Sequence, residues 1–217
     1  MYYMIADIHG NLEKLQSLIR KVMADFNRSE DKFIFLGDYI DRGTYSFETV
    51  EFLINLSKKT EAIFLKGNHE DKFLKFLEGQ KVDDYLNNGG KFTVTSYEKA
   101  LGSMTVPREH KEFYAKLLPY YEEEDFIAVH AGLNPEYDDL SSQNEHDLLW
   151  IRDKFFFKTK RWHKTIIFGH TPVQNIVSSL GVHFDEKRNI IGLDNGAYLG
   201  HPMLCLRWPD KKVYSSS

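Results

Sequence analysis

The chain has a single cysteine, Cys205, so no internal disulfide can form and a reducing compartment is the natural setting. No apolar run approaches the roughly 20 residues that a membrane helix requires. The opening MYYMIADIHG has neither the basic stretch nor the long apolar core of a signal peptide, so a cytoplasmic protein with no membrane partner is expected. A basic excess is missing too. Lys and Arg number 28 against 32 Asp and Glu, a formal charge of −4 with an isoelectric point near 6.1. That balance argues against nucleic acid as a partner, yet leaves room for an anionic substrate in a locally positive pocket. Internal repeats, low-complexity tracts and Pro/Gly-rich linkers are also absent, so one domain spanning 1–217 with a sizeable core is expected.

What the chain does have is a series of short apolar runs, each ending in polar residues. Tyr2 to Ala6 reads as a buried strand ending at Asp7-Ile8-His9-Gly10, and Leu12, Leu15, Leu18, Ile19, Val22, Met23 and Phe26 then recur at helical spacing. Phe33 to Leu36 is a second strand, ending at Gly37-Asp38-Tyr39-Ile40-Asp41-Arg42-Gly43, and a helix follows through Phe47, Val50, Leu53 and Leu56. Ala62 to Leu65 is a third, ending at Gly67-Asn68-His69-Glu70, again before a helix. The second half predicts helices over Phe92–Leu101 and Pro107–Leu118, then strands at Phe126–Val129, Thr165–Phe168, Asn189–Leu193, Met203–Trp208 and Lys211–Tyr214. This order implies a mixed α/β protein with sheet at the centre and helices outside.

Five strand ends each deliver a His, Asp or Asn: Asp7 and His9, Asp38 with Asp41 and Arg42, Asn68 and His69, His130, and His170. Ligand sites collect at that edge of a sheet, where loops converge on a rigid frame. Carboxylates and imidazoles with an asparagine and no cysteine favour Mn²⁺, Fe²⁺ or Zn²⁺. A closed structural zinc site takes four ligands, usually with cysteine among them. At least six candidates exceed the needs of one ion and suit two, about 3.5–4 Å apart and bridged by a carboxylate and a water of depressed pKa. Such a centre explains the charge of FLGDYIDRG: cations neutralise Asp38, and Arg42 is available for a substrate.

Taken in order, DIHGN, GDYIDRG, GNHE, HAG and GHT resemble the signature of the phosphoprotein phosphatase family within the calcineurin-like metallophosphoesterases, over Asp7 to about Thr171 and more weakly to Gly196 through LDNGA. The resemblance implies a four-layer sandwich of central mixed β-sheets flanked by helices. It implies two divalent ions, Mn²⁺ first and Fe²⁺ or Zn²⁺ as alternatives. Asp7 and His9 would hold one ion, Asp38 would bridge, and Asn68, His130 and His170 would complete the other. His69 would act as general acid, oriented by Asp41, while Arg42 and Arg152 would bind phosphate. The expected partner is then a phosphorylated protein or peptide, hydrolysed at phosphoserine or phosphothreonine by direct attack of the metal-bridging hydroxide. The alternative within the superfamily is a diadenosine tetraphosphate hydrolase. Glu70, where such relatives usually carry Asp, tilts the reading toward the protein phosphatase. Asn195 stands where the family more often has Thr, and the segment after Gly200 lacks the long loop and tail of eukaryotic members.

Singly, each motif has an ordinary explanation. Asp7 could cap a helix, Asp38 and Asp41 could be turn residues, and His130 could be a satisfied core histidine. The ordered set outweighs these readings. A non-catalytic scaffold is the alternative of another class, and the presence of every expected ligand together with His69, Asp41 and Arg42 speaks against it. For Arg152 the plain alternative is a surface ion pair with Asp153 or a nearby acid. His110, His146, His163, His183 and His201 lack a motif and read as surface or packing residues, with His110 expected to be exposed and its loss silent. The run Glu122–Asp125 reads as a solvated turn, Phe155–Phe157 as packing, and NNGGKFT as a tight turn rather than a phosphate cradle.

Overall fold

A computed structural model describes residues 1–80 and 84–217, and its strands form two five-stranded sheets. The first joins β1 (Tyr2–Ile5), β2 (Lys32–Phe35), β3 (Glu61–Phe64), β9 (Leu204–Trp208) and β10 (Val213–Ser215), in the order β10-β9-β1-β2-β3. The second joins β4 (Tyr120–Glu122), β5 (Phe126–Val129), β6 (Thr165–Phe168), β7 (His183–Asp185) and β8 (Ile190–Gly192), in the order β4-β5-β6-β8-β7. Strands β1, β2 and β3 run parallel, as do β5, β6 and β8, with antiparallel partners added outside them. Each sheet is therefore mixed.

Strand alternation sorts the side chains into layers. Met4, Ile34 and Leu206 from the first sheet meet Phe126, Ala128, Ile167 and Ile191 from the second, so the sheets pack face to face. Tyr3, Ile5, Phe33 and Phe35 turn the other way, onto α1 (Leu12–Val22), α2 (Ser46–Ser57), α4 (Lys91–Leu101) and α5 (Arg108–Ala115). On the far side Ile127, Val129, Ile166 and Phe168 pack against α6 (Glu145–Trp150) and α7 (Asp153–Phe156). The order helix, sheet, sheet, helix gives the four layers expected. It also explains why the central strands read as continuous apolar runs, since both of their faces are buried. No helix among the described residues is long and apolar enough to cross a membrane.

Several local expectations change. Pro107 precedes α5 in an extended conformation instead of opening it, and β4 and β7 are strands that the sequence pattern hides. The acidic run is partly structural: Glu122 ends β4, and the Glu123 carboxylate accepts from the Tyr121 hydroxyl and from the Tyr2 hydroxyl (2.6 Å), linking the two sheets. Phe155 and Phe156 are core residues, while Phe157 is exposed. His110 is a correction. It is fully buried, with Nδ1 2.7 Å from the Tyr97 hydroxyl and Nε2 2.7 Å from Glu51 Oε1, because Phe47 and Tyr97 close over it. His110→Ala would leave the buried Tyr97 hydroxyl with the Tyr114 hydroxyl (3.1 Å) alone and open a cavity where the ring was, at a cost of about 2 kcal/mol. Calorimetry should therefore show Tm lowered by about 4–8 °C, with metal content and kcat unaltered.

Candidate metal centre

The five motif loops leave the carboxyl ends of β1, β2, β3, β5 and β6, and backbone conformation turns their side chains to a common point. Asp7, His9, Asp38, Asp41, Arg42 and His170 all have positive φ, between 41° and 69°. Residues other than glycine rarely adopt that conformation, and it gathers at functional sites when the surroundings enforce it. Here the enforcement is a set of bonds between loops. The amides of Ile8 and His9 donate to the Asp38 carbonyl (2.9 and 2.8 Å), Gly10 N to the Tyr39 carbonyl (2.8 Å), and Gly169 N to the His130 carbonyl (2.8 Å). The Glu70 carboxylate accepts from Asp38 N (2.8 Å), Tyr39 N (2.8 Å) and Gly67 N (3.0 Å). Glu70 is completely buried and tied to backbone, so it supports the loops and offers no atom to a substrate.

Two groups of donors result, and Asp38 belongs to both. His9, Asp38 and His69 form one, Asp38, His130 and His170 the other, with the potential ligand atoms of each group within 4.8 Å of one another. Asp38 Oδ2 lies 3.5 Å from His9 Nε2, whereas Oδ1 lies 3.4 Å from His130 Nε2. Asp7 stands beside the first group, Oδ2 4.0 Å from His9 Nε2, while its Oδ1 accepts from His170 N (2.9 Å). Asn68 opens α3 (Asn68–Leu77) and joins the second group, Oδ1 2.9 Å from His130 Nε2. All six expected ligands are thus brought together. His69 comes among them as well, Nε2 4.0 Å from Asp38 Oδ2, and its Nδ1 is held at 2.7 Å by Asp41 Oδ2.

The donor chemistry fits divalent cations. His9 Nδ1 and His130 Nδ1 are hydrogen-bonded to the carbonyls of Ile40 (2.9 Å) and Leu36 (2.8 Å), which in the neutral rings turns the Nε2 lone pairs inward. His130 Nε2 then faces Asn68 Oδ1 and Asp38 Oδ1, three acceptors converging with no proton between them. Buried His170 Nε2 and Asp194 Oδ2 have no hydrogen-bond partner among the described residues. The space is shaped by glycines: a Cβ on Gly67 would lie 2.2 Å from Asp38 Oδ1, and one on Gly169 2.3 Å from Asp7 Oδ1.

Electrostatics agree. Burial raises the Asp7 carboxyl well above its ordinary value, and the charges of Asp194 and Asp38 add to that. Asp194 is pushed up to about 7 by burial, with Asp38 adding further. Burial opposes the ionised form of Asp38 as well, but the imidazoles of His130, His69, His9 and His170 together hold it low. Burial in turn lowers the His9, His130 and His170 rings and favours their neutral, coordinating form, so an ionised Asp38 calls for a cation where protonated imidazole would otherwise stand. Three buried carboxylates at one point need cations nearby.

Around this cluster, Arg42 Nη1 lies 3.1 Å from His9 Nε2 and its guanidinium lies 4.3 Å from the Tyr198 ring centroid. Arg152 makes no ion pair among the described residues; Nη1 donates to Thr171 Oγ1 (3.0 Å), beside His170. Asp41, fully buried, accepts on Oδ1 from the Tyr85 hydroxyl (2.9 Å) and the Thr93 hydroxyl (2.5 Å). Of NNGGKFT only the glycine kink is a turn, with Gly89 at φ 109°, while Lys91–Thr93 already belong to α4; the stretch serves the site, because Gly89 O accepts from Arg42 N (3.2 Å) and Thr93 bonds Asp41. Sequence reasoning missed Tyr85, Thr93, Tyr198 and Asp194. The same strand-end rule would have found Asp194, which follows β8; the other three carry no local signal.

The sequence model of the calcineurin-like phosphoesterase family matches residues 2–198. A bis(5′-nucleosyl)-tetraphosphatase (asymmetrical) of Anoxybacillus flavithermus is 26% identical over 242 residues, covering 99% of this chain and 93% of that protein. Among solved structures, one described as a candidate diadenosine tetraphosphatase superposes with a TM-score of 0.73 at 21% identity, covering 99% of this chain and 91% of its own. A cold-active protein-tyrosine phosphatase of a Shewanella species superposes with a TM-score of 0.68 at 15% identity, covering 100% and 80%. At such identities the two structures speak for the fold alone.

Proposed function

This chain belongs to the calcineurin-like phosphoesterase family, and on that premise we propose that it hydrolyses a phosphoanhydride bond of a dinucleoside polyphosphate. The observation that carries the hydrolytic chemistry is Asp38, whose two oxygens face two separate imidazole groups. The substrate class is supported by the relative from A. flavithermus, similar over nearly the whole chain, and by the loss of Glu70 as an argument for a protein substrate.

Asp7, His9 and Asp38 would hold one divalent ion, and Asp38, Asn68, His130 and His170 the other. When bound, the ions supply Lewis acidity and lower the pKa of water. The chain's own residues do the rest. Arg42, anchored through Gly89 and braced on Tyr198, presents a planar fork to phosphate oxygens from one side. Arg152 reaches in beside His170 from the other. His69 delivers a proton to the departing oxygen. Asp41 holds that imidazole at Nδ1 and is itself fixed by the Tyr85 and Thr93 hydroxyls, which both donate to it.

Parallel turnover of diadenosine tetraphosphate, a phosphoserine peptide and para-nitrophenyl phosphate by Mn²⁺-loaded protein tests this. The dinucleotide should have the highest kcat/KM, by about tenfold or more if a bound nucleoside contributes a single stacking contact. A higher value for the phosphopeptide would restore the protein-phosphatase reading.

A further inference from the structure

Next to Arg42 lies a cavity of about 270 Å³ whose lining includes none of the six candidate metal ligands. Its lining includes Arg42, Lys14, Glu13, Tyr45 and Tyr198. It adjoins the metal cluster directly, because the Tyr198 ring stands 5.1 Å from the His9 ring, edge to face, with the Arg42 guanidinium against it. Its wall is fixed in place. Lys14 Nζ donates to the carbonyls of Ala197 (2.6 Å) and His201 (2.8 Å), clamping the Tyr198 turn onto α1.

We propose that this cavity is a nucleoside subsite, holding the base and ribose whose phosphate Arg42 grips. The inference rests on the dinucleotide reading above. The cavity is slightly smaller than drug-sized ligand pockets of about 300–1,000 Å³, a size that suits one nucleoside. Its two tyrosines offer aromatic surface, on which bases stack regardless of identity. Lys14 keeps its positive charge while donating to the two carbonyls, so with Arg42 the lining holds two cations against the Glu13 carboxylate, which accepts from amino or hydroxyl groups. A flat, donor-bearing group joined to a phosphate fits this lining. The rival aromatic near the cluster, Trp150, is already covered: the Lys72 ammonium sits 4.6 Å from its ring centroid and the His146 ring stacks on it at 6.5 Å.

Calorimetric titration of Mn²⁺-loaded protein with a non-hydrolysable phosphonate analogue of AMP, and separately with methylphosphonate, isolates the nucleoside's contribution. The AMP analogue should bind wild-type protein about tenfold more tightly, a ratio that one stacked base accounts for. In Tyr45→Ala the ratio should fall toward one, and in Tyr45→Phe it should be retained. Tyr45 is 40% exposed and its hydroxyl makes no hydrogen bond among the described residues, so the fold should tolerate both changes. A ratio near one in wild type overturns the subsite. A ratio that survives Tyr45→Ala, or is abolished by Trp150→Ala alone, puts the nucleoside elsewhere and also overturns it. The measurement requires no turnover. Failure of the enzyme to cleave dinucleotides would count against the substrate reading and leave the ratio to judge the cavity.

Discussion

Replacing Asp38 with asparagine is expected to lower kcat roughly a thousandfold and to abolish binding of two divalent ions. The side chain is unique in the site because each oxygen serves a different group of donors, Oδ2 toward His9 and Oδ1 toward His130. Asparagine keeps the shape but removes a full negative charge, and its amide nitrogen presents protons where an acceptor is required. Metal analysis after gel filtration should find fewer than two equivalents per chain. Differential scanning calorimetry supplies a readout independent of catalysis. Added Mn²⁺ should raise the Tm of wild type through mass action and do so far less for Asp38→Asn. With a chelator present, the two proteins should differ much less than with metal. Two full equivalents and an undiminished Mn²⁺-dependent shift in the variant would remove Asp38 from its bridging position.

The site's location was legible for a specific reason. Strands buried on both faces, such as Phe126–Val129 and Thr165–Phe168, read as unbroken apolar runs, so the polar residue that ends each run stands out. Partition of the strands into two sheets was not legible, because nothing in an apolar run names its partner. β4 was hidden because it is a three-residue strand running into an acidic stretch that looks like a turn. The positive φ values at Asp7, His9, Asp38 and His170 leave no mark in composition either, since the loops impose them through bonds from Ile8, His9 and Gly169 to distant carbonyls. Glu70's role was not legible either: at the third position of α3 its carboxylate curls back onto the amides of Gly67, Asp38 and Tyr39, the last two in another loop. His110 shows the same limit on a helix: its burial depends on Phe47 and Tyr97, residues brought over it from two other helices.

His69→Asn should separate two roles that distance alone allows. His69 lies among the donors of the first group, with Nε2 4.0 Å from Asp38, yet its Nδ1 is engaged by Asp41 at 2.7 Å. A ligand would be missed as metal; an acid would be missed as a proton. The expected variant keeps two metal equivalents and loses rate in proportion to how badly its leaving group needs protonation. For phosphoserine the departing alkoxide is strongly basic, and loss of a positioned acid costs about 10²–10⁴ in kcat. For a nucleotide phosphate or para-nitrophenolate the leaving oxygen is stable at neutral pH, so the loss should stay within about tenfold. The ratio of these effects, measured on one variant in one metal buffer, therefore reads proton transfer directly. Equal losses on all substrates, with metal retained, would assign His69 and its Asp41 partner to gripping phosphate; loss of a metal equivalent would make it a ligand.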